Sequence, residues 1–358
     1  ASGFPYVDAA LAMEYLNGLP DRDTAPTVVF VEHKGKKIRV DRPFDEAAVT
    51  GALIKATRVG EAKIYFIKGH GEKDIDGDSD QSLRELARTL TESSFKVESL
   101  NLIDRKEIPK DASVVAIVGP AMPYLDSELQ WLRDYVKEGG KILIALDPGQ
   151  RHGLANLTKT LGVEFQNNYV ITTQPVVGGG PAMILGRTFD MSSGITRSFP
   201  QGSSISLFYL SSEVTSAPGK PDSIVVSDLV KSDAFAFTVV DVRKPLAEKP
   251  QGKVVTLAVV ASGTIESGSK AFEAVVFGDS DFMINRSLLA GINKDLALNA
   301  FAELANQKDL LSIRPKLPKG STLMLTRYSS LGLLMFTIAL PLFLLITSGV
   351  VWFRRRGA

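Results

Sequence analysis

Five side chains suited to acid–base work or cation binding follow short apolar runs in this sequence. Lys63–Lys68 (KIYFIK) gives way to Gly69-His70-Gly71-Glu72, Lys141–Leu146 (KILIAL) to Asp147-Pro148, and Ala274–Phe277 (AVVF) to Gly278-Asp279-Ser280-Asp281. In an open α/β sheet, ligands bind beyond the carboxyl ends of the strands. If the three runs lie in one sheet, His70, Glu72, Asp147, Asp279 and Asp281 share a crevice and are the candidate ligand-binding residues. The competing reading is structural, because Asp and Gly after strands commonly cap helices and fix tight turns. Neither reading yields a complete catalytic set. Ser280 in Gly-Asp-Ser invites a hydrolase, but a serine nucleophile needs a histidine base oriented by a carboxylate. His33, His70 and His152 lack the aspartate spacing of that chemistry, and no Gly-x-Ser-x-Gly elbow occurs. The expectation is therefore a protein that is not an enzyme, with no catalytic residue, cofactor or metal assigned.

Two further motifs fall short of their templates. Asp74-Ile75-Asp76-Gly77-Asp78-Ser79-Asp80 resembles a calcium loop with Glu85 at its twelfth position, but Ser79 stands where that loop needs glycine. A solvated acidic loop ahead of a helix, where negative charge is favoured, is the better account of it. Gly178-Gly179-Gly180-Pro181 lacks the Gly-Lys-Ser/Thr that holds phosphates, so the chain carries no ATPase motif.

The elements that must position these residues are read from periodicity. Over 61–150, strands at Lys63–Lys68, Phe95–Leu100, Ser113–Val118 and Lys141–Leu146 alternate with helices. Ser82–Leu90 carries a capping-box pattern from Ser82 to Glu85. Asp126–Lys137 sets Leu129, Leu132 and Val136 on one face and stops at Gly139-Gly140. That alternation means a mostly parallel sheet covered on both faces. Residues 1–60 read as an αβ remnant of an N-terminal domain: a helix over 7–16, strands at 27–31 and 38–40, and an amphipathic helix over 45–57. The block is too small to bury its own core, so it should pack on the α/β unit that begins at residue 61. Residues 165–250 lose helical periodicity and gain Gly, Ser, Thr and Pro, which reads as a β-rich insertion. The α/β texture returns at Val254–Val260 and Ala274–Phe277, then ends in a helix around Lys294–Asn306. The domain scheme is therefore 1–60; 61–164 with 251–310; the insertion 165–250; a connector 311–330; a membrane helix 331–353; and a basic tail 354–358.

Composition narrows the function classes. The chain has 358 residues, no cysteine, 44% hydrophobic and 23% charged residues, and a formal charge of +1. Thiolate catalysis, Cys-type zinc, iron–sulfur clusters and disulfides are excluded. The net positive charge comes from Arg354-Arg355-Arg356, so the remainder offers no broad phosphate-neutralising surface and no nucleic-acid partner is expected. Leu331–Phe353 is uncharged throughout and spans roughly 35 Å as a helix, enough for a hydrocarbon core of about 30 Å. Pro341 predicts a kink, Trp352 suits the interface, and Arg354, Arg355 and Arg356 place the C-terminus in the cytoplasm by the positive-inside rule. Arg314, Lys316, Lys319 and Arg327 on the other flank weaken that orientation. Leu331 through Arg356 is thus the expected anchor in a lipid bilayer. Thr337, Pro341, Thr347, Ser348 and Gly349 give it small and polar positions for packing on partner helices. Residues 1–22 hold neither a basic n-region nor an apolar h-region, and the expectation is that the sequence starts partway through a larger protein.

Several stretches together carry a family resemblance. Ile64–Glu72 (IYFIKGHGE), Val115–Pro120 (VAIVGP), Gly139–Pro148 (GGKILIALDP), Leu229–Phe235 (LVKSDAF) and Val275–Asn285 (VVFGDSDFMIN) occur in order. Leu325-Thr326-Arg327 and the Pro-containing apolar segment ending in Trp352-Phe353-Arg354-Arg355-Arg356 come after them. The sequence resembles the gliding-motility-type (GldG-like) auxiliary, substrate-binding components of ABC transporters. That resemblance implies an α/β domain similar to flavodoxin-like or class I glutamine-amidotransferase folds, here without a catalytic cysteine. It also implies a bacterial inner-membrane protein with a periplasmic domain, working with an ABC permease and a cytoplasmic ATPase. Another envelope protein or a glycan is a further partner class. Two alternatives stand beside it: an envelope enzyme using the His/Asp/Glu crevice, and a freestanding glycan-binding module.

Overall fold

The computed structural model describes residues 29–40, 62–176, 178–244, 250–306 and 327–356, with Val49, Ala52, Leu53 and Ala56 between the first two stretches. The expected helix over 7–16 and most of the connector 311–330 lie outside the described residues. The chain opens with β1 (Val29–His33) and β2 (Lys36–Val40), an antiparallel hairpin turned at Lys34-Gly35. Val40, Val49 and Ala52 form a small cluster with Val29, Val31, Ile38 and Leu53, so this block gathers an apolar centre of its own.

The main unit continues as β3 (Ala62–Lys68), α1 (Arg84–Glu92), β4 (Phe95–Asn101), α2 (Leu102–Arg105), β5 (Ala112–Val118), α3 (Asp126–Lys137) and β6 (Lys141–Ala145). Then come α4 (Ala155–Thr160), β7 (Val163–Phe165), β8 (Tyr169–Thr172), β9 (Met183–Phe189), β10 (Ser206–Tyr209), β11 (Val214–Ser216), β12 (Ile224–Ser232) and β13 (Ala236–Val239). β14 (Thr256–Gly263), β15 (Phe272–Phe277), a 3-10 turn at Asp281–Met283 and α5 (Asn293–Leu304) complete it. Helix α6 (Arg327–Arg356) ends the described chain.

Nine strands form one sheet in the order β10-β9-β12-β14-β15-β6-β5-β3-β4. The half from β15 to β4 is parallel throughout, and the half from β15 to β10 is antiparallel. Taken alone, the parallel strands run 2-1-3-4-5 in chain order, the flavodoxin-like arrangement in which the direction of winding reverses between the first and third strands. The α/β reading from the sequence is thus correct. Residues 165–250 are β-rich, but β9, β10 and β12 extend the central sheet, while β8 with β13 and β7 with β11 make small separate ladders.

Strand alternation divides the core. Ile64, Phe66, Val114, Ala116, Leu143, Val275 and Phe277 face Leu86 and Leu90 of α1, Leu83 just before it, and Leu296, Ala300 and Phe301 of α5. Tyr65, Ile67, Val115, Ile117, Ile142, Ile144 and Val276 face Leu129, Leu132 and Val136 of α3 and Leu157 of α4. The sheet is therefore covered on both faces, as parallel strands require.

The capping box expected at Ser82 does not form. The Ser82 hydroxyl bonds to Ser79, and the N–H of Glu85 is taken by Asn285 Oδ1 at 2.9 Å, a residue 200 positions away. A tertiary partner displaced the local one. At the other end, α6 runs uninterrupted through Pro341. The most apolar 18 residues of its segment Leu334–Arg356 have a mean hydropathy of 2.3 and no burial against the rest of the chain.

Candidate functional site

The five sequence-selected residues all lie at the carboxyl ends of β3, β6 and β15, but they separate into two clusters. The first forms where β3 ends. Gly71 has a φ of +78°, open to glycine without strain, and a Cβ there would sit 3.1 Å from that of Ala121. The turn tucks His70 inward, leaving it 5% exposed. The His70 carbonyl accepts the N–H groups of Ala121 and Met122, each at 2.9 Å, tying the turn to the loop after β5. Its imidazole stacks on Tyr124 with ring centroids 4.1 Å apart.

Two carboxylates flank that ring. His70 Nε2 lies 3.0 Å from Glu128 Oε2, and Nδ1 lies 3.5 Å from Glu72 Oε1. Glu72 Oε2 accepts the His70 backbone N–H at 2.7 Å, and Glu72 Oε1 accepts the Tyr124 hydroxyl. Glu128 is fully buried, and its Oε2 also accepts the Leu125 N–H at 2.9 Å, closing the first turn of α3. Burial, reinforced by the charges of Glu72 and Glu128 and by the hydrogen bond to Glu72, holds the Tyr124 phenol well above its ordinary range. Tyr124 is thus a neutral donor.

The second cluster joins Asp147, Asp279 and Asp281, whose carboxylate oxygens lie within 4.8 Å of one another. Asp147 accepts the Ser280 N–H at 2.7 Å and the Ser280 hydroxyl at 2.6 Å. Asp279 is fully buried and accepts the N–H groups of Asp281 and Tyr209, both at 2.7 Å. Lys73 Nζ sits 2.9 Å from Asp281 Oδ1. Burial pushes Asp147 above the usual carboxylate range against its two bonds from Ser280, with the nearby Asp281 adding to the rise. Asp279 stands well above that range, through burial first and then through Asp147 and Asp281. The close approach of the two chain segments depends on Gly119. Its φ is +63°, and a Cβ there would meet Ser280 Oγ at 2.6 Å and Lys73 Cε at 2.9 Å.

Chemically, three acids this close form a donor set for a hard divalent cation. Most of their oxygens are already engaged: Ser280 occupies Asp147, two backbone donors occupy Asp279, and Lys73 supplies positive charge to Asp281. Ser280 itself is a donor to a carboxylate, and among the described residues no histidine is bonded to it, so the hydrolase arrangement does not form there. In the loop Asp74–Asp80, Asp74 Oδ1 accepts the Asp76 N–H at 3.0 Å and Asp78 pairs with Arg84. Sequence reasoning missed Lys73, Tyr124 and Glu128. Lys73 comes directly after Glu72, and Glu128 stands at the third helical position after Leu125; those were the available signals.

Among solved structures, the chain is similar to the mmIFT52 N-terminal domain at 15% identity, with 68% of this chain and 97% of that one covered and a TM-score of 0.51. Two proteins described as ThuA-like also align: one from Bacteroides uniformis at 13% identity, the other from Parabacteroides merdae at 14%. They cover 70% and 73% of this chain and 94% of their own, with TM-scores of 0.41 and 0.43. The first likeness is one of fold alone. No curated protein matches the chain. A family model does match, over residues 61–312, a stretch that takes in both carboxylate clusters and the whole nine-stranded sheet. The chain belongs to that family, described as an ABC-type uncharacterized transport system.

Proposed function

We propose that the chain is a non-enzymatic, membrane-anchored auxiliary subunit of an ABC transporter of the gliding-motility type. It binds a ligand or partner and works beside a membrane permease and a separate cytoplasmic ATPase. The observation that carries this reading is α6: a continuous 30-residue helix containing a 23-residue apolar span that ends in three arginines. In a bilayer such a span satisfies its own backbone hydrogen bonds and needs no enclosing protein. Arg354, Arg355 and Arg356 support a cytoplasmic C-terminus by the positive-inside rule, in keeping with an α/β unit outside the cytoplasm, and we take the membrane as a bacterial inner membrane. Membership of an ABC transport family supports the companion subunits.

The absence of an enzymatic role is supported by how the candidate residues are spent. The His70 ring is committed to Glu128, the Asp147 carboxylate to Ser280, and Asp281 to Lys73. Copurification from native membranes in mild detergent is the test. Recovery with a permease and an ATPase is the expected result; recovery alone, with neither subunit present, sinks the assignment. A glycan-binding role is tested on the same preparation by retention on immobilised peptidoglycan.

A further inference from the structure

Beyond the carboxyl ends of β3 and β4, beside the loop that follows β3, lies a cavity of about 340 Å³. It adjoins the place where the winding of the parallel strands reverses, which is where open sheets of this kind take up ligands. Strand pairing builds one wall. Phe66 stands opposite Ser99 in the β3–β4 register, and alternation puts Phe66 and Lys68 on the same face of β3. Buried Ile75 supplies an apolar side, while Lys68, Ser99, Asp74 and Asp76 supply polar groups. The loop is fixed by its backbone: the Lys73 N–H is donated to the Val118 carbonyl at 2.9 Å and the Leu83 N–H to the Asp74 carbonyl at 2.7 Å. Volume and fixed walls together suit a small molecule.

The charges lining the cavity divide into committed and free. Glu72 accepts from His70 and Tyr124, and Lys73 is bonded to Asp281 and, at 3.2 Å, to Gln81. The Lys68 ammonium and the Asp76 carboxylate are exposed, and among the described residues neither has an ion-pair partner. The Ser99 hydroxyl has no hydrogen-bond partner among them either. Asp74 Oδ1 accepts the Asp76 N–H at 3.0 Å, which leaves Oδ2 for a ligand. Free groups of both signs in one cavity disfavour a ligand of a single sign: Lys68 repels a metal ion, and Asp74 and Asp76 repel a phosphate. The one aromatic residue lining the cavity, Phe66, is 3% exposed and offers a sugar no open face to stack on. We propose, resting on the chain's role as a ligand-binding subunit, that this cavity takes a small zwitterion. Its carboxylate meets Lys68 and Ser99, its ammonium meets Asp76 and Asp74, and its apolar stem lies against Ile75. Free amino acids and short peptides share that chemistry.

Titration calorimetry on the full chain in detergent tests this with four probes: L-leucine, L-alanyl-L-leucine, leucinamide, which lacks the carboxylate, and 4-methylpentanoate, which lacks the ammonium. Leucine or the dipeptide should bind saturably with a Kd of about a millimolar or tighter, the range open to so few atoms. The tighter of the two identifies the source as free amino acid or peptide. Leucinamide and 4-methylpentanoate should each bind at least about threefold more weakly than leucine, the order of one partly solvated charge contact. Lys68→Met should erase the preference over leucinamide and keep that over 4-methylpentanoate; Asp76→Asn should do the reverse. Both side chains are exposed, so the variants should fold, and the wild-type preferences decide alone if one does not. No saturable binding of leucine or the dipeptide, or binding indifferent to both variants, overturns the proposal. Copurification with a permease and an ATPase is unaffected by that failure, so an empty cavity and a mistaken subunit assignment give different results.

Discussion

Replacing Lys73 by methionine isolates the one cation that, among the described residues, is bonded to the aspartate cluster. The Lys73–Asp281 pair has an N···O distance of 2.9 Å, with both side chains 18% exposed. At an effective dielectric of about 20 the gross attraction is about 6 kcal/mol. Most of it is offset by the desolvation of both groups. Exposed pairs are worth less than about 1 kcal/mol, and losing one partner of a fully buried pair costs about 3–5 kcal/mol. A pair this enclosed falls between, so Lys73→Met should destabilise the fold by about 2 kcal/mol. Methionine keeps the stem that lies against Gly119, so lost packing contributes little. The assay is urea unfolding of Lys73→Met, Asp281→Asn and the double variant. If the pair acts as described, the double variant should be less destabilised than the sum of the singles by about 1 kcal/mol or more. Additivity within about 0.3 kcal/mol would show that Lys73 and Asp281 are a solvated contact, refuting its role as the cluster's counter-charge.

Gly119→Ala should cost about 2 kcal/mol or more in thermal or urea unfolding, because a left-handed backbone costs a Cβ-bearing residue about 1–2 kcal/mol before the contact with Ser280 is counted. The half-buried Tyr135 phenol is pushed up to about 12 by burial, against the hydrogen bond with the Lys141 backbone. Since the unfolded phenol ionises near 10, stability is whole below that pH and is lost as pH rises toward 12, by about 2 kcal/mol. Tyr135→Phe should remove that part of the alkaline loss, read by urea unfolding across the same range. In α6, Leu342→Arg places a charge in the middle of the apolar span at a cost of about 2.5–3.5 kcal/mol. It should reduce the fraction that resists alkaline extraction from membranes; unchanged extraction would argue against a spanning helix.

What the sequence made legible depended on how local each signal was. α3 occupies Asp126–Lys137, where Leu129, Leu132 and Val136 and the Gly139-Gly140 stop had placed it, because periodicity and a φ of +87° at Gly139 are properties of a few adjacent residues. β3, β5 and β6 were readable as short apolar runs for the same reason. The extension of the sheet by β12, β9 and β10 was not, because partners such as Val230 and Phe189 meet across loops that leave no mark in composition. The candidate residues were found from their place after strands, but their division into two clusters was hidden. It depends on Tyr124, Glu128 and Lys73, whose roles arise only when the loop after β5 and the 3-10 turn close on the sheet.

The pairing of β6 with β15 sets an order of events during synthesis. β6 finds β5 at once, yet its other edge waits for Phe272–Phe277, about 130 residues later in the chain. At ribosomal rates of about 5–20 residues per second, that interval is roughly ten seconds. For that time the nascent chain presents Lys141–Ala145, four of whose five residues end fully buried, as an unpaired apolar border. An open edge of this composition invites pairing with other chains. The same long crossover that completes the sheet therefore makes the half-made protein dependent on shielding until its last strand arrives.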